Sequence, residues 1–155
     1  ERKTRIVYCK DHRRRGNHPL VYFDFLGFRF QPRTSRFKCG RLVLLYDCGI
    51  SPGSMSRVSR WFGHKAARNW AGRNLSEIAQ FFNAKIRGWL NYYGAFRRHL
   101  LWRIFRRFHR RLVKWAINRY KRFRRSKRKA ARWVRRLIKA NPDLFVHWRT
   151  EFADA

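Results

Sequence analysis

Between Glu77 and Asp143 the chain contains no acidic residue, while Arg and Lys recur throughout. A helix drawn from such a stretch has no Glu–Lys pairs three or four residues apart, the contacts that ordinarily lace an exposed helical face. Its cations repel one another instead, by a few tenths of a kcal/mol for each like-charge pair. Folding then depends on an apolar stripe able to build a core, and the charge requires an external polyanion to neutralise it. The whole chain of 155 residues has 40 Lys and Arg against 8 Asp and Glu, a formal net charge of +32. Arg outnumbers Lys three to one, and guanidinium forks grip phosphates bidentately and stack on bases. Nucleic acid is the expected partner.

A hydrophobic content of 45% and an aromatic content of 17% exclude a disordered basic tail, which would lack the rings to fill a core. The longest run of large apolar residues, 42–46, is far short of the roughly 20 that span a bilayer. Basic amphipathic helices with Trp also suit a membrane surface, but the apolar stripes of adjacent helices are expected to be consumed in a shared core, so no membrane partner is expected. Cys9, Cys39 and Cys48 form an odd set with neither a disulfide framework nor a C-x-x-C metal half-site. With no apolar signal segment, the expectation is a reducing, cytoplasmic compartment.

The first fifty residues read as β structure. Residues 4–10 are β-branched and aromatic, residues 21–30 alternate, and residues 41–47 form a third candidate strand. In the second run Phe23 and Phe25 are expected on the side opposite Phe28 and Phe30, with Gly27 at a bulge or close backbone approach. At Ser51–Pro52 the period changes, a capping hydroxyl preceding a residue suited to the first helical position. Met55, Val58, Phe62 and Ala66 then step by three and four. Asn74 with Glu77 makes a capping box ahead of Leu75, Ile78, Phe82, Ile86, Trp89 and Tyr93. A longer helix is expected over about residues 96–123, with Leu101, Phe105, Phe108, Leu112 and Trp115 inward and Arg103, Arg107, Arg110 and Lys114 on another side. A basic linker at residues 124–129 leads to a last helix over about residues 130–140, stopped by Asn141–Pro142. The apolar tail at residues 144–148 is expected to fold back onto the helices.

Catalytic chemistry is hard to place. Asp11, Asp24 and Asp47 are isolated in sequence, whereas a two-metal polymerase or nuclease needs clustered carboxylates. The histidines show no helical i, i+4 pair beside a carboxylate, and His64 and His109, set among cations, are expected to face RNA or solvent. No catalytic or metal-ligating residue is assigned, and the chain alone is expected not to be an enzyme. On physics alone, dispersed Arg over several helices suits a folded RNA read by shape and backbone.

One string is specific. Arg87-Gly88-Trp89-Leu90-Asn91-Tyr92-Tyr93 resembles the maturase region of group II intron-encoded reverse transcriptases. Asn74-Leu75-Ser76-Glu77-Ile78-Ala79 with Phe82-Asn83, then Trp115-Ala116 and Arg119-Tyr120-Lys121, and finally Pro142, Leu144, Phe145, His147 and Trp148 resemble neighbouring segments of that family in order. Upstream, residues 4–10 and 23–28 resemble the end of its polymerase palm, with Phe25-Leu26-Gly27-Phe28 similar to the primer-grip element. No Y-x-D-D string, which holds that family's catalytic metal, occurs in these residues.

The resemblance implies a mainly α fold: a β-rich palm remnant at residues 1–50, a helical thumb and maturase region at 51–125, and the linker, helix and tail of domain X at 126–155. It implies binding of structured intron RNA that promotes folding, splicing and mobility. Template–primer duplex, a DNA target and the polymerase fingers and palm are further partners it suggests, in a bacterial-type cytoplasmic ribonucleoprotein. No cofactor is expected on the chain, and Mg2+ would come with the RNA or a polymerase palm. The contacts expected are Arg87, Asn91 and Tyr92, then Arg103, Arg106, Arg107, Arg110, Arg111 and Lys114, then Arg124, Arg125, Lys127, Arg128 and Lys129. Two other functions fit the charge: the thumb of an active reverse transcriptase, and a generic ribosomal-type RNA scaffold.

Overall fold

The computed structural model describes residues 4–14, 16–63, 70 and 72–150, and the chain divides into two units, Glu1–Ser54 and Met55–Ala155. The first holds a three-stranded antiparallel sheet, β1 (Phe23–Phe25), β2 (Phe28–Arg36) and β3 (Leu42–Ile50), in that spatial order. The second is built from helices, so the fold is mainly α with a short N-terminal β segment.

Within the first unit the aromatic run at residues 21–30 is a hairpin. Leu26 and Gly27 have φ of 47° and 82°, and positive φ at both central residues is the signature of the tight turn whose twist suits antiparallel strands. Gly27 therefore reverses the chain; it does not mark a bulge in one continuous strand. Pairing sets Phe23 against Phe30 and Phe25 against Phe28, which places all four rings on one face, correcting the expectation of two faces. Phe23 and Phe30 stack with centroids 4.8 Å apart. Phe28, Cys48 and Ile50 on that face are buried. Pro32 stands beyond the end of β1, where β2 has become an edge and tolerates a residue without an N–H.

Residues 4–10 do not form the expected strand. The Lys10 N–H folds back to the Tyr8 carbonyl at 3.0 Å, a three-residue turn that ends extended structure. Tyr8 keeps one bond to the Leu20 carbonyl, at 2.9 Å.

The helices are α1 (Pro52–Trp61), α2 (Leu75–Tyr93), α3 (Trp102–Arg119) and α4 (Lys127–Ala140). Ser51 Oγ accepts the Ser54 N–H at 3.1 Å, capping α1. At the start of α2, Asn74 Oδ1 accepts the Glu77 N–H at 2.9 Å and the Glu77 carboxylate accepts the Asn74 N–H at 3.1 Å, the reciprocal box expected. α3 is shorter than expected. A 3-10 turn at Arg98–Leu101 precedes it, and Tyr120 leaves the helix in an extended conformation. That departure seats the Tyr120 ring edge-on against Trp115, Phe123 and Trp133. The expected basic linker is also shorter, because Ser126 accepts the Lys129 N–H and Lys127, Arg128 and Lys129 form the first turn of α4. Ala66 lies outside the described residues.

The core of the second unit is an aromatic cluster centred on Phe108, which is fully buried. Its ring lies 4.9 Å from that of Phe62, 5.4 Å from Phe82 and 5.2 Å from Phe145. Phe105, Leu112 and Trp115 complete the inward stripe of α3, and Leu101 extends it into the preceding 3-10 turn. The tail folds back as expected: Phe145, His147 and Trp148 are buried. Asn83 of α2 holds it there, donating to the Leu144 carbonyl at 2.9 Å and accepting the Val146 N–H at 3.1 Å.

Trp89 is only half-buried, edge-on to Phe62 at 5.5 Å. Truncation there leaves a partly open surface and not a sealed cavity. Trp89→Ala is therefore expected to cost about 1–2 kcal/mol, below the 3–5 kcal/mol of a fully buried aromatic, as urea denaturation would measure.

Among the described residues no helix is long and apolar enough to cross a membrane.

Candidate nucleic-acid interface

Helix α3 buries one side and offers Arg and Lys on the rest. Its exposed positions include Arg103, Arg106, Arg107, Arg110 and Lys114, with Arg111 half-buried. Steps of four, three and four bring Arg103, Arg107, Arg110 and Lys114 onto one strip. Against this strip α1 sets Ser56, Ser59 and Arg60, and the two helices enclose an open groove of about 730 Å3 with Arg111 also on its wall. Six cations and two hydroxyl side chains thus converge, with no carboxylate in the lining among the described residues. Arg60, Ser56 and Ser59 were not among the residues expected from sequence. Only their one-turn spacing on an amphipathic helix pointed to a shared face.

Arg106 turns away from this groove. Its guanidinium lies 5.2 Å from the centroid of the exposed Trp102 ring, and with Arg110 and Lys127 it borders a second groove between α3 and α4. Arg87, Asn91 and Tyr92 are exposed on α2 and enter neither groove. Arg124, Arg125, Arg128 and Lys129 are exposed around the start of α4 and likewise line neither. Cations in the first turn of α4 oppose its helix dipole, so helix stability does not explain their presence. In the first unit the primer-grip-like residues form the β1–β2 turn, with Phe25 and Leu26 exposed and Phe28 buried.

His109 is not set out to solvent with its cationic neighbours, although it lines the α3–α4 groove. It is buried, and its Nε2 lies 3.0 Å from Nε2 of the fully buried His147. His64 lies outside the described residues. The Trp148 indole N–H donates to His109 Nε2 at 3.1 Å. An indole can only donate, so His109 Nε2 accepts and His147 Nε2 carries the proton pointing at it. Burial holds the His147 imidazole well below its usual 6.5, so that ring stays neutral. As pH falls below about 6.5 the unfolded chain takes up a proton that folded His147 refuses. Stability is therefore complete above that pH and falls by about 1.4 kcal/mol per pH unit below it, until the folded group titrates. Urea midpoints between pH 7.5 and 5.0 are expected to drop accordingly, and His147→Phe should flatten that slope.

Each strand-region carboxylate is engaged separately. Asp11 accepts the Arg13 and Arg14 N–H groups, which hold it below the usual carboxylate range. Asp24 is lowered by its hydrogen bond from Arg29, at 2.7 Å, and Asp47 accepts the Cys48 N–H. Among the described residues no three His, Cys, Asp or Glu side chains gather as a metal site.

The class that this arrangement defines is a basic helical domain with a cation-lined groove. The profile of the group II intron maturase-specific domain matches residues 55–136, more than half of the chain, and the match begins at the first residue of the second unit. The chain belongs to the group II intron maturase-specific domain family. No curated protein and no solved structure matches the chain.

Proposed function

We propose that the chain binds the folded RNA of a group II intron and promotes its folding and splicing. The observation that carries this is the α1–α3 groove, where Arg60, Arg103, Arg107, Arg110, Arg111 and Lys114 converge without a carboxylate inside the family-matched region. Crowded phosphates there exchange their counterions for guanidinium groups, so RNA helices approach one another at lower cost. Serine hydroxyls add hydrogen bonds to phosphate or 2′-OH oxygens, while the buried rings hold the groove open. Arg87, Asn91 and Tyr92 on α2, and the cations around the start of α4, extend the contact around the unit. The chain itself makes and breaks no bonds in this account; the RNA and its Mg2+ ions do the chemistry.

Competition binding tests specificity. A folded group II intron RNA is expected to displace ribosomal RNA of equal length at moderate salt. Equal displacement would reduce the chain to a general RNA scaffold.

A further inference from the structure

The second groove, between α3 and α4, differs in chemistry from the first. Trp102 forms one wall, 37% exposed although it is a large aromatic. Val113, Ala131, Val134 and Ile138 line it with apolar side chains, the buried His109 ring lies among them, and Arg106, Arg110, Lys127 and Arg135 complete the lining. The volume is about 490 Å3, within the roughly 300–1,000 Å3 of small-ligand sites. Phosphates alone need no aromatic wall and no apolar lining. A flat, uncharged ring attached to a polyanion needs both, and four cations without a carboxylate match the anion it hangs from.

We propose that this groove takes an unpaired nucleobase from the same RNA, stacked on Trp102, while the phosphates flanking it bind Arg106, Arg110 and Lys127. The proposal rests on the RNA-binding function above. Arg110 lines both grooves, so a strand crossing it can lay its backbone in the α1–α3 groove and turn one base into the α3–α4 groove. A base inside a duplex cannot enter; only loops, bulges and ends present a free face. Ala131 is the small residue on the α4 wall that leaves room for the ring.

Two RNAs of equal length and charge, one fully paired and one with an unpaired loop, separate this proposal from its parent. Full-length chain carrying Ala131→Leu, which fills the groove and removes no cation, is expected to lose affinity for the looped RNA on the order of tenfold. Its affinity for the paired RNA and its salt slope should stay unchanged, since no phosphate contact is lost. Equal effects on both RNAs, or none on either, would overturn the base site. Wild-type chain that binds neither RNA would instead overturn the RNA-binding function. A second readout needs no substitution: 5-iodouridine placed in the loop should photo-crosslink to Trp102, located by mass spectrometry of the digested chain. A crosslink mapped only to residues outside the α3–α4 groove would also overturn it.

Discussion

Replacing Arg103, Arg107 and Arg110 with glutamine together is expected to weaken RNA binding on the order of a hundredfold at physiological salt. The three sit on one strip of α3, facing α1 across a groove with no carboxylate. Glutamine keeps a side chain of helix-forming shape, so the change removes charge with little effect on the buried side of α3. Each phosphate contact contributes a slope of about 0.7–0.9 in log K against log salt. Losing three should flatten that slope by about 2–3. Between 1 M salt, where the counterion contribution vanishes, and about 0.15 M, that difference amounts to roughly two decades of affinity. Thermal stability should hold or rise, because like-charge repulsion along the helix is relieved. An unchanged slope would mean that this strip is a solvated face and that the RNA lies elsewhere.

The largest effect on stability is expected at Phe108. Its ring is fully buried and packs on Phe62, Phe82, Phe145 and the His147 imidazole, which come from the turn just after α1, from α2 and from the C-terminal tail. Truncation to alanine removes the transfer free energy of the ring and leaves a cavity that three separate segments would have to move to close. A cost of about 3–5 kcal/mol follows, a large part of the roughly 5–15 kcal/mol that stabilises a typical domain. Urea denaturation followed by circular dichroism measures it. Phe108→Leu, which refills part of the space, should recover about half. A loss below about 1 kcal/mol for Phe108→Ala would contradict the placement of this ring at the centre of the core.

Helix identity was legible because it is written locally. The box of Asn74 with Glu77 and the spacing of Leu101, Phe105, Phe108, Leu112 and Trp115 are local signals, and the structure follows both. Helix ends were not legible. No Gly or Pro marks Tyr120, which leaves α3 because its ring finds Trp115, Phe123 and Trp133, a tertiary cause. The β1–β2 turn was hidden for a different reason. Leu26-Gly27 lacks the usual Asn or Asp, and β1 is only three residues long, so a hairpin resembled one slipped strand.

The site divides in the same way. The basic strip of α3 could be read from its spacing, but its partners on α1 could not, since helical periodicity does not say which helices pack together. His109 shows the limit most clearly. Its sequence neighbours are cations, yet its partners are His147 and Trp148, 38 and 39 residues away. The spacing of Phe145, His147 and Trp148 acquires a physical meaning only in the fold, where those rings close the core over α3.

On the proposed function, this chain supplies positive charge that intron RNA otherwise obtains from Mg2+. The most direct measurement is the Mg2+ midpoint for compaction of a folded group II intron RNA, followed by small-angle scattering with and without the chain. A clear shift of that midpoint to lower Mg2+ is expected with wild-type chain, and a smaller shift with the Arg103, Arg107 and Arg110 variant. A midpoint that stays where it is while the RNA is saturated with protein would contradict that function.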